Sequence, residues 1–163
     1  MRALFLCTGN SARSQMAEAI LNRKGKGRIE AASAGSQPAA RVNPLAIEAL
    51  RDAGIEWTGH APRGLDGLDL EPWDVVITVR DRAKEACPFF PGQPALAHWG
   101  MPDPAQVDGP EDVRRRAFRD ALVLISRRID LLLALPVEKL EKLALEARIR
   151  AIGGVPAEGV RGT

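Results

Sequence analysis

Cysteine, histidine and tyrosine are scarce in this chain. Its 163 residues include two cysteines, two histidines and no tyrosine, and aromatic residues make up only 4% of the total. Cys7 and Cys87 are too few for a disulfide scaffold, and with His60 and His98 they lack the spacing of a zinc site. We therefore expect no bound metal. In a reducing compartment such a cysteine pair is more often buried, catalytic or redox-active.

Long apolar runs and a strong excess of one charge are also absent. No stretch approaches the roughly twenty apolar residues of a membrane span, and the N-terminal run MRALFLC is too short for a signal peptide. The net charge of +2 suits attraction of small anions but falls short of the basic face that nucleic acid requires. These absences predict a cytoplasmic protein that binds neither membrane nor nucleic acid.

Hydrophobic periodicity predicts alternating strands and helices in one domain over residues 1–150, with a flexible Gly/Pro-rich tail at 151–163. The predicted strands are 2–6, 28–33, 74–79 and 95–99, and the predicted helices are 14–23, 44–53, 111–135 and 137–149. This alternation predicts an α/β fold, a three-layer α/β/α arrangement with a four-stranded parallel sheet and a C-terminal helical extension. Ligands of such sheets bind at the carboxyl ends of the strands, where Cys7 and Asp103 both lie.

The segment between the first strand and the first helix predicts an oxyanion site. Backbone N–H groups in such a loop can surround an anion, and the helix N-terminus adds its positive end. Gly9 permits a positive φ and Asn10 tolerates one, while Arg13 can donate to two oxygens of the anion. The predicted oxyanion-binding residues are Thr8, Gly9, Asn10, Ser11, Ala12 and Arg13.

The same loop predicts that Cys7 is a nucleophile. Amide dipoles, the helix N-terminus and the guanidinium all stabilise a thiolate, and the Ser14 hydroxyl is placed to donate to it, so we expect Cys7 to be ionised at neutral pH. An inert core cysteine is the alternative, but the placement of Gly, Arg and Ser around it is not a packing pattern. Asp103 precedes a proline, as turn formers often do, yet it is the carboxylate most clearly placed to protonate a leaving oxygen.

The run CTGNSARSQMAE, from Cys7, resembles the active-site loop and first helix of the low-molecular-weight protein tyrosine phosphatase superfamily. The resemblance continues through SAGSQ, VNPLAIEAL, VVITV and HWGMPDPA and covers nearly the whole chain before the tail. Tyrosine phosphatases of this superfamily usually carry a cysteine, a proline and an aromatic residue where this chain has Ala12, Gln15 and Ala105. The pattern is more similar to the arsenate reductase branch.

This resemblance implies that Cys7 attacks arsenate, that Asp103 protonates the departing oxygen, and that a second thiol releases arsenite. The thioredoxin-coupled pattern of the branch uses two later cysteines spaced seven apart. Cys87 matches the second of these, but the first is Arg80 here. Either Cys87 resolves Cys7, or an external thiol such as glutathione does so with glutaredoxin or thioredoxin, and we favour the external thiol. No tightly bound cofactor is implied.

Two further functions remain open on the sequence alone. A phosphatase acting on phosphotyrosine or small phosphoesters would use Cys7, Arg13 and Asp103 without a second thiol. A noncatalytic oxyanion-binding module would keep the loop alone.

Some relatives hold potassium at positions that correspond to Asn10, Glu18, Ser33 and a carboxylate, but the last position is Arg63 here, so we expect no cation.

Overall fold

The computed structural model describes residues 1–80 and 94–155, and within them four strands form one parallel sheet. The strands are β1 Arg2–Cys7, β2 Glu30–Gly35, β3 Val75–Thr78 and β4 Ala95–His98. Their order across the sheet is β2-β1-β3-β4, and every neighbouring pair is parallel. The predicted four-stranded parallel sheet is therefore confirmed, with β1 in an interior position.

Both faces of the sheet are buried. Along β1, Ala3, Phe5 and Cys7 belong to one hydrophobic core, and Leu4 and Leu6 belong to a second core on the opposite face. This alternation follows from the two-residue repeat of a strand. It explains why β1 reads as an uninterrupted apolar run, as expected for a strand that is covered on both sides.

In the described part of the chain four α-helices accompany the sheet, and together they confirm the α/β fold with its C-terminal helices. They are α1 Arg13–Lys24, α2 Pro44–Asp52, α3 Glu111–Leu133 and α4 Lys142–Ile152. Buried side chains of α1 and α3, such as Ile20 and Ile129, contribute to the larger core. The smaller core on the other face includes Leu68 and Trp73, which lie in the segment that leads into β3.

Several boundaries differ from the prediction, for local reasons. The predicted strand at 28–33 begins only at Glu30, because the backbone N–H groups of Arg28 and Ile29 bond to Gly25 in the turn that follows α1. The predicted helix at 137–149 instead spans Lys142–Ile152, since the chain turns between Leu135 and Lys139 after Pro136. It thus continues past residue 150 into the segment predicted as a tail. A helical turn predicted at 82–86 lies outside the described residues.

Helix α4 lies along the outer edge of β4. Its Glu146 accepts a hydrogen bond from the Leu96 N–H at 3.1 Å, and its Arg150 donates to the Leu96 carbonyl at 3.0 Å. The two side chains also form an ion pair with each other. Side chains of α4 therefore bond backbone groups that an edge strand otherwise leaves open. None of the helices in the described ranges has the length and apolar character needed to cross a lipid bilayer.

Candidate active site

The loop from Cys7 to Arg13, the anion loop, contains a residue with a left-handed backbone conformation and packs closely against the end of β2. Asn10 has a φ of +49°, so the left-handed residue is Asn10 rather than Gly9. At the end of β2, a Cβ on Gly35 would lie 2.5 Å from the Thr8 carbonyl oxygen and 2.9 Å from the Asn10 nitrogen. Position 35 therefore requires glycine, a constraint that only the folded geometry reveals.

Two hydrogen bonds converge on the sulfur of Cys7. The Asn10 backbone N–H lies 3.1 Å from Sγ, and the Ser14 hydroxyl oxygen lies 2.7 Å from it. The side-chain amide of Asn10 donates to the same Ser14 oxygen at 2.8 Å. Because that oxygen already accepts from Asn10, its own proton is free to point at Cys7. The arrangement directs two potential donors, the Asn10 N–H and the Ser14 hydroxyl, at the sulfur.

The orientation of the Asn10 amide is fixed by its other contacts. Its nitrogen donates a second hydrogen bond to the Ser33 hydroxyl at 2.8 Å. Its oxygen accepts from the Gln15 side chain at 3.1 Å and from the Arg63 backbone N–H at 2.8 Å. Both ends of the amide are therefore satisfied in one orientation only, which sets the direction of the chain from Asn10 through Ser14 to Cys7.

Gln15 extends this support outward, and sequence analysis did not assign it a role. Its side chain is buried, and its oxygen accepts a hydrogen bond from the indole N–H of Trp57 at 2.9 Å. Trp57 is stacked on His60 with ring centroids 3.5 Å apart. The sequence carried a signal for this role, because Gln15 is a polar residue in the first turn of the helix that begins at the site. A polar side chain that is buried there needs a hydrogen-bond partner.

Arg13 joins the ends of three strands. It is buried, and its guanidinium donates to the carbonyl of Val79 at 3.3 Å, after β3, and to that of Met101 at 3.1 Å, after β4. It also lies 3.5 Å from a carboxylate oxygen of Asp103. The carboxyl ends of β1, β3 and β4 thus meet at this side chain, as the parallel sheet predicts.

Asp103 makes two contacts, one with each carboxylate oxygen. One carboxylate oxygen accepts from the Ala105 N–H at 2.9 Å and caps the short 3-10 helix Pro104–Gln106, while the other faces Arg13. Its side chain is 22% exposed, compared with 9% for Arg13. The structure therefore brings Cys7, Arg13, Ser14 and Asp103 to one edge of the sheet. Cys87 lies outside the described residues, so its role stays a prediction.

The residues around Glu18 do not fit a potassium ion. Ser33 donates to the Glu18 carboxylate at 2.6 Å, and burial raises the pKa of Glu18 despite that bond and the nearby charge of Arg63. The Asn10 amide oxygen already accepts two N–H groups, and the guanidinium of Arg63 pairs with Glu71. A cation would thus face a positive side chain in place of a carboxylate. Within residues 1–80 and 94–155, no three His, Cys, Asp or Glu side chains come together to hold a metal ion.

The two histidines make hydrogen-bonding and stacking contacts, and neither of them bonds Cys7. Nδ1 of His98 lies 2.6 Å from the Thr78 hydroxyl. Burial lowers the pKa of both His60 and His98, and the charges of Arg128 and Arg80 lower that of His98 further. Both side chains therefore favour the neutral form, as expected for hydrogen-bonded or stacked structural residues.

Comparison with known proteins agrees with this geometry. Residues 2–144 match the family model described as low molecular weight phosphotyrosine protein phosphatase. An arsenate reductase from Halalkalibacterium halodurans is 36% identical over 125 residues, which cover 77% of this chain and 89% of that protein. An arsenate reductase solved in a phosphate-binding state superposes with a TM-score of 0.67 at 28% identity, over 82% of this chain and 96% of that one.

A thioredoxin-dependent arsenate reductase from Corynebacterium glutamicum superposes with a TM-score of 0.57 at 27% identity, over 80% of this chain and 62% of that one. The family match spans most of the described residues and includes the anion loop, Arg13 and Asp103. The chain therefore belongs to the low molecular weight phosphotyrosine protein phosphatase family, in the branch whose members are named arsenate reductases.

Proposed function

We propose that this protein reduces arsenate to arsenite, with Cys7 as the nucleophile. The observation that carries the proposal is the directed hydrogen bonding onto Cys7, inside a loop that Arg13 and Asp103 close. Relatives that share 36% identity over most of their length are arsenate reductases, and a related structure binds phosphate, which has the same tetrahedral shape as arsenate.

Binding relies on the anion loop and on the first turn of α1. The first N–H groups of a helix have no partner within the helix, and the N-terminus of α1 adds its positive end to the anion loop. The guanidinium of Arg13 adds a charged two-donor contact. These donors also stabilise the charge that develops on oxygen when the sulfur attacks.

The first chemical step joins Cys7 to arsenic. The thiolate forms a sulfur–arsenic bond, and one arsenic–oxygen bond breaks. The departing hydroxyl takes a proton from Asp103 and leaves as water. The position of Asp103 beside Arg13, at the mouth of the loop, supports this assignment.

The second step requires another thiol. It attacks the sulfur of Cys7, a disulfide forms, and the sulfur–arsenic bond breaks with its electron pair remaining on arsenic. Arsenic passes from the +5 to the +3 state and leaves as arsenite, which takes up the proton that the thiol releases. The disulfide on Cys7 must then be reduced before another turnover.

We propose that this thiol is external, a small molecule such as glutathione, with glutaredoxin or thioredoxin completing the cycle. Arg80, which is buried at the end of β3, stands where the thioredoxin-coupled pattern has a relay cysteine. The related reductase from Corynebacterium glutamicum depends on thioredoxin, so both reductants belong in the test.

The test is consumption of NADPH in the presence of arsenate. One reaction contains glutathione, glutaredoxin and glutathione reductase, and the other contains thioredoxin and thioredoxin reductase. Arsenate-dependent consumption that is lost in Cys7→Ser supports the proposal. No consumption in either reaction, with the protein folded, contradicts it.

A thiol count after a single turnover identifies the resolving thiol. A glutathione adduct on Cys7 in both the parent protein and Cys87→Ser supports the external route. Loss of both protein thiols in the parent, prevented by Cys87→Ser, shows that Cys87 resolves Cys7 instead.

A phosphatase is the second candidate function. It is supported by the family model, whose description names a phosphotyrosine protein phosphatase. It would use the same cysteinyl intermediate and release it with water. Hydrolysis of an aryl phosphate without any thiol, at a rate above that of arsenate reduction, would support this function. Retained phosphate binding without turnover in either assay would indicate a binding module.

A further inference from the structure

Helix α4 reaches the loop that carries Asp103. The family match ends at residue 144, within α4. The indole N–H of Trp99, immediately after β4, donates to the Ile149 carbonyl of α4 at 2.9 Å. A Cβ on Gly153 would lie 2.3 Å from the His98 carbonyl oxygen and 2.9 Å from an indole carbon of Trp99. The end of α4 therefore packs tightly against the exit of β4.

Arg128 of α3 connects the same two segments. Its guanidinium donates to the Gly100 carbonyl at 3.2 Å and to the Gly153 carbonyl at 3.1 Å. The side chain is buried, its hydrogen-bond partners among the described residues are these two carbonyls, and burial lowers its pKa. Burying a cation with only carbonyl partners costs stability, so its position here calls for a function.

The loop between β4 and Asp103 is thus held from two sides. Arg13 bonds the Met101 carbonyl from the anion loop, and Arg128 bonds the preceding carbonyl, that of Gly100, from α3. Only Pro102 separates Met101 from Asp103, whose carboxylate faces Arg13. A shift of Gly100 would therefore move the acid relative to the bound anion.

We propose that α4 and Arg128 hold the loop from Gly100 to Asp103 in the position that proton transfer requires. Arg128 is then a positioning residue, which acts through Asp103 and does not touch the substrate. This inference rests on the proposed function in one respect, the role of Asp103 as the acid. It adds a role for a helix that lies largely outside the family match.

The first experiment measures loop position without turnover. Gly153→Ala forces a Cβ into His98 and Trp99, whereas Gly154→Ala is a matched control because its Cβ meets only the Ala151 carbonyl, at 3.5 Å. Hydrogen exchange is followed at the Ala105 amide, which bonds Asp103. We expect at least about tenfold faster exchange in Gly153→Ala, with Gly154→Ala like the parent. Equal exchange in both variants would overturn the proposal, whether or not arsenate is reduced.

The second experiment is a double-mutant cycle with Asp103→Asn. Arg128→Met should lower turnover roughly tenfold in the parent, since a small misplacement of a catalytic group is costly. In the Asp103→Asn background the same change should cost less than about twofold, because the group that it positions is already lost. Additive losses would indicate a general structural role and would overturn the proposal.

Two further variants complete this design. Arg116→Met removes an exposed arginine from the same helix and should leave turnover within about twofold of the parent. Arg128→Lys keeps the charge and one donor, so it should recover part of the loss. If arsenate is not reduced, the cycle is run with an aryl phosphate. If neither substrate reacts, the exchange measurement alone decides.

Discussion

The hydroxyl oxygen of Ser14 lies 2.7 Å from the sulfur of Cys7 and also accepts a hydrogen bond from the Asn10 side chain. This relationship gives the serine hydroxyl a direction, because an oxygen that accepts from Asn10 has its proton available for Cys7. In this arrangement the sulfur of Cys7 accepts from the Ser14 hydroxyl and from the Asn10 N–H. The reactivity of Cys7 should therefore depend on the Ser14 hydroxyl and on the Asn10 side chain that orients it.

Ser14→Ala should slow alkylation of Cys7 by iodoacetamide about tenfold at neutral pH. The change removes one hydrogen bond to a charged sulfur, a contact worth about 1.5–3 kcal/mol. Ser36→Ala is the control, since Ser36 is exposed and the two hydrogen bonds at the Cys7 sulfur come from Ser14 and Asn10. Equal alkylation rates in the two variants would show that the hydroxyl does not stabilise the thiolate.

Asp103→Asn should lower the rate of arsenate reduction by about 10² to 10³. Inhibition by phosphate should stay as strong or become stronger, because a carboxylate 3.5 Å from Arg13 is removed from the anion site. Asp108→Asn, an exposed change farther along the same loop, serves as the control. A weaker phosphate inhibition in Asp103→Asn would argue that Asp103 only holds Arg13 in place.

Potassium should have no specific effect on this protein. The position that would complete a cation site is Arg63, and the Asn10 amide oxygen is already bonded twice. Melting temperature and turnover should therefore match in equal concentrations of KCl and NaCl. A rise seen with potassium alone would mean that a cation binds beside Glu18 after all.

Glu18→Gln should raise the melting temperature by a few degrees at neutral pH. Burial raises the pKa of Glu18 in the folded protein, so ionisation costs stability as pH rises above the ordinary range of a glutamate. Below that range the carboxyl is protonated in both states and the two proteins should melt alike. A parent protein that gains stability over the variant with rising pH would contradict this prediction.

Acidification should destabilise the protein through His98. Burial and the charges of Arg128 and Arg80 lower its pKa in the folded state. The unfolded chain then binds the proton more readily, so stability is lost as pH falls through about 6.5 towards the folded value. His98→Asn should show a smaller drop in melting temperature between about pH 8 and 5. His60→Asn is measured for comparison, because burial also lowers the pKa of His60. A pH dependence of stability that is unchanged in His98→Asn would contradict the role of His98 in this effect.

The sequence predicted the elements that carry chemistry because their signals are local. Cys7, Arg13 and Ser14 stand within a single loop and helix start, and the apolar strands place Asp103 at the same sheet edge. The start of α2 is also local, because the Asn43 side chain accepts a hydrogen bond from the Leu45 N–H and caps the helix. Spacing alone was sufficient in these cases.

What the sequence did not predict depends on contacts between distant segments. Gly35 must be glycine because β2 passes close to the anion loop, and Gln15 is buried because Trp57 reaches it from another part of the chain. The start of α4 was misplaced because Val137, an apolar residue that fits a helical pattern, is buried from within a turn. Periodicity cannot distinguish such burial from helical packing.

The bonds from Glu146 and Arg150 to Leu96 also bear on how this chain behaves at high concentration. An uncovered outer strand is a template on which another polypeptide can add by backbone pairing, the first stage of many aggregates. Here that template is occupied by side chains of the same molecule. A version ending before Lys142 would expose it, and self-association that grows with concentration would be the expected result.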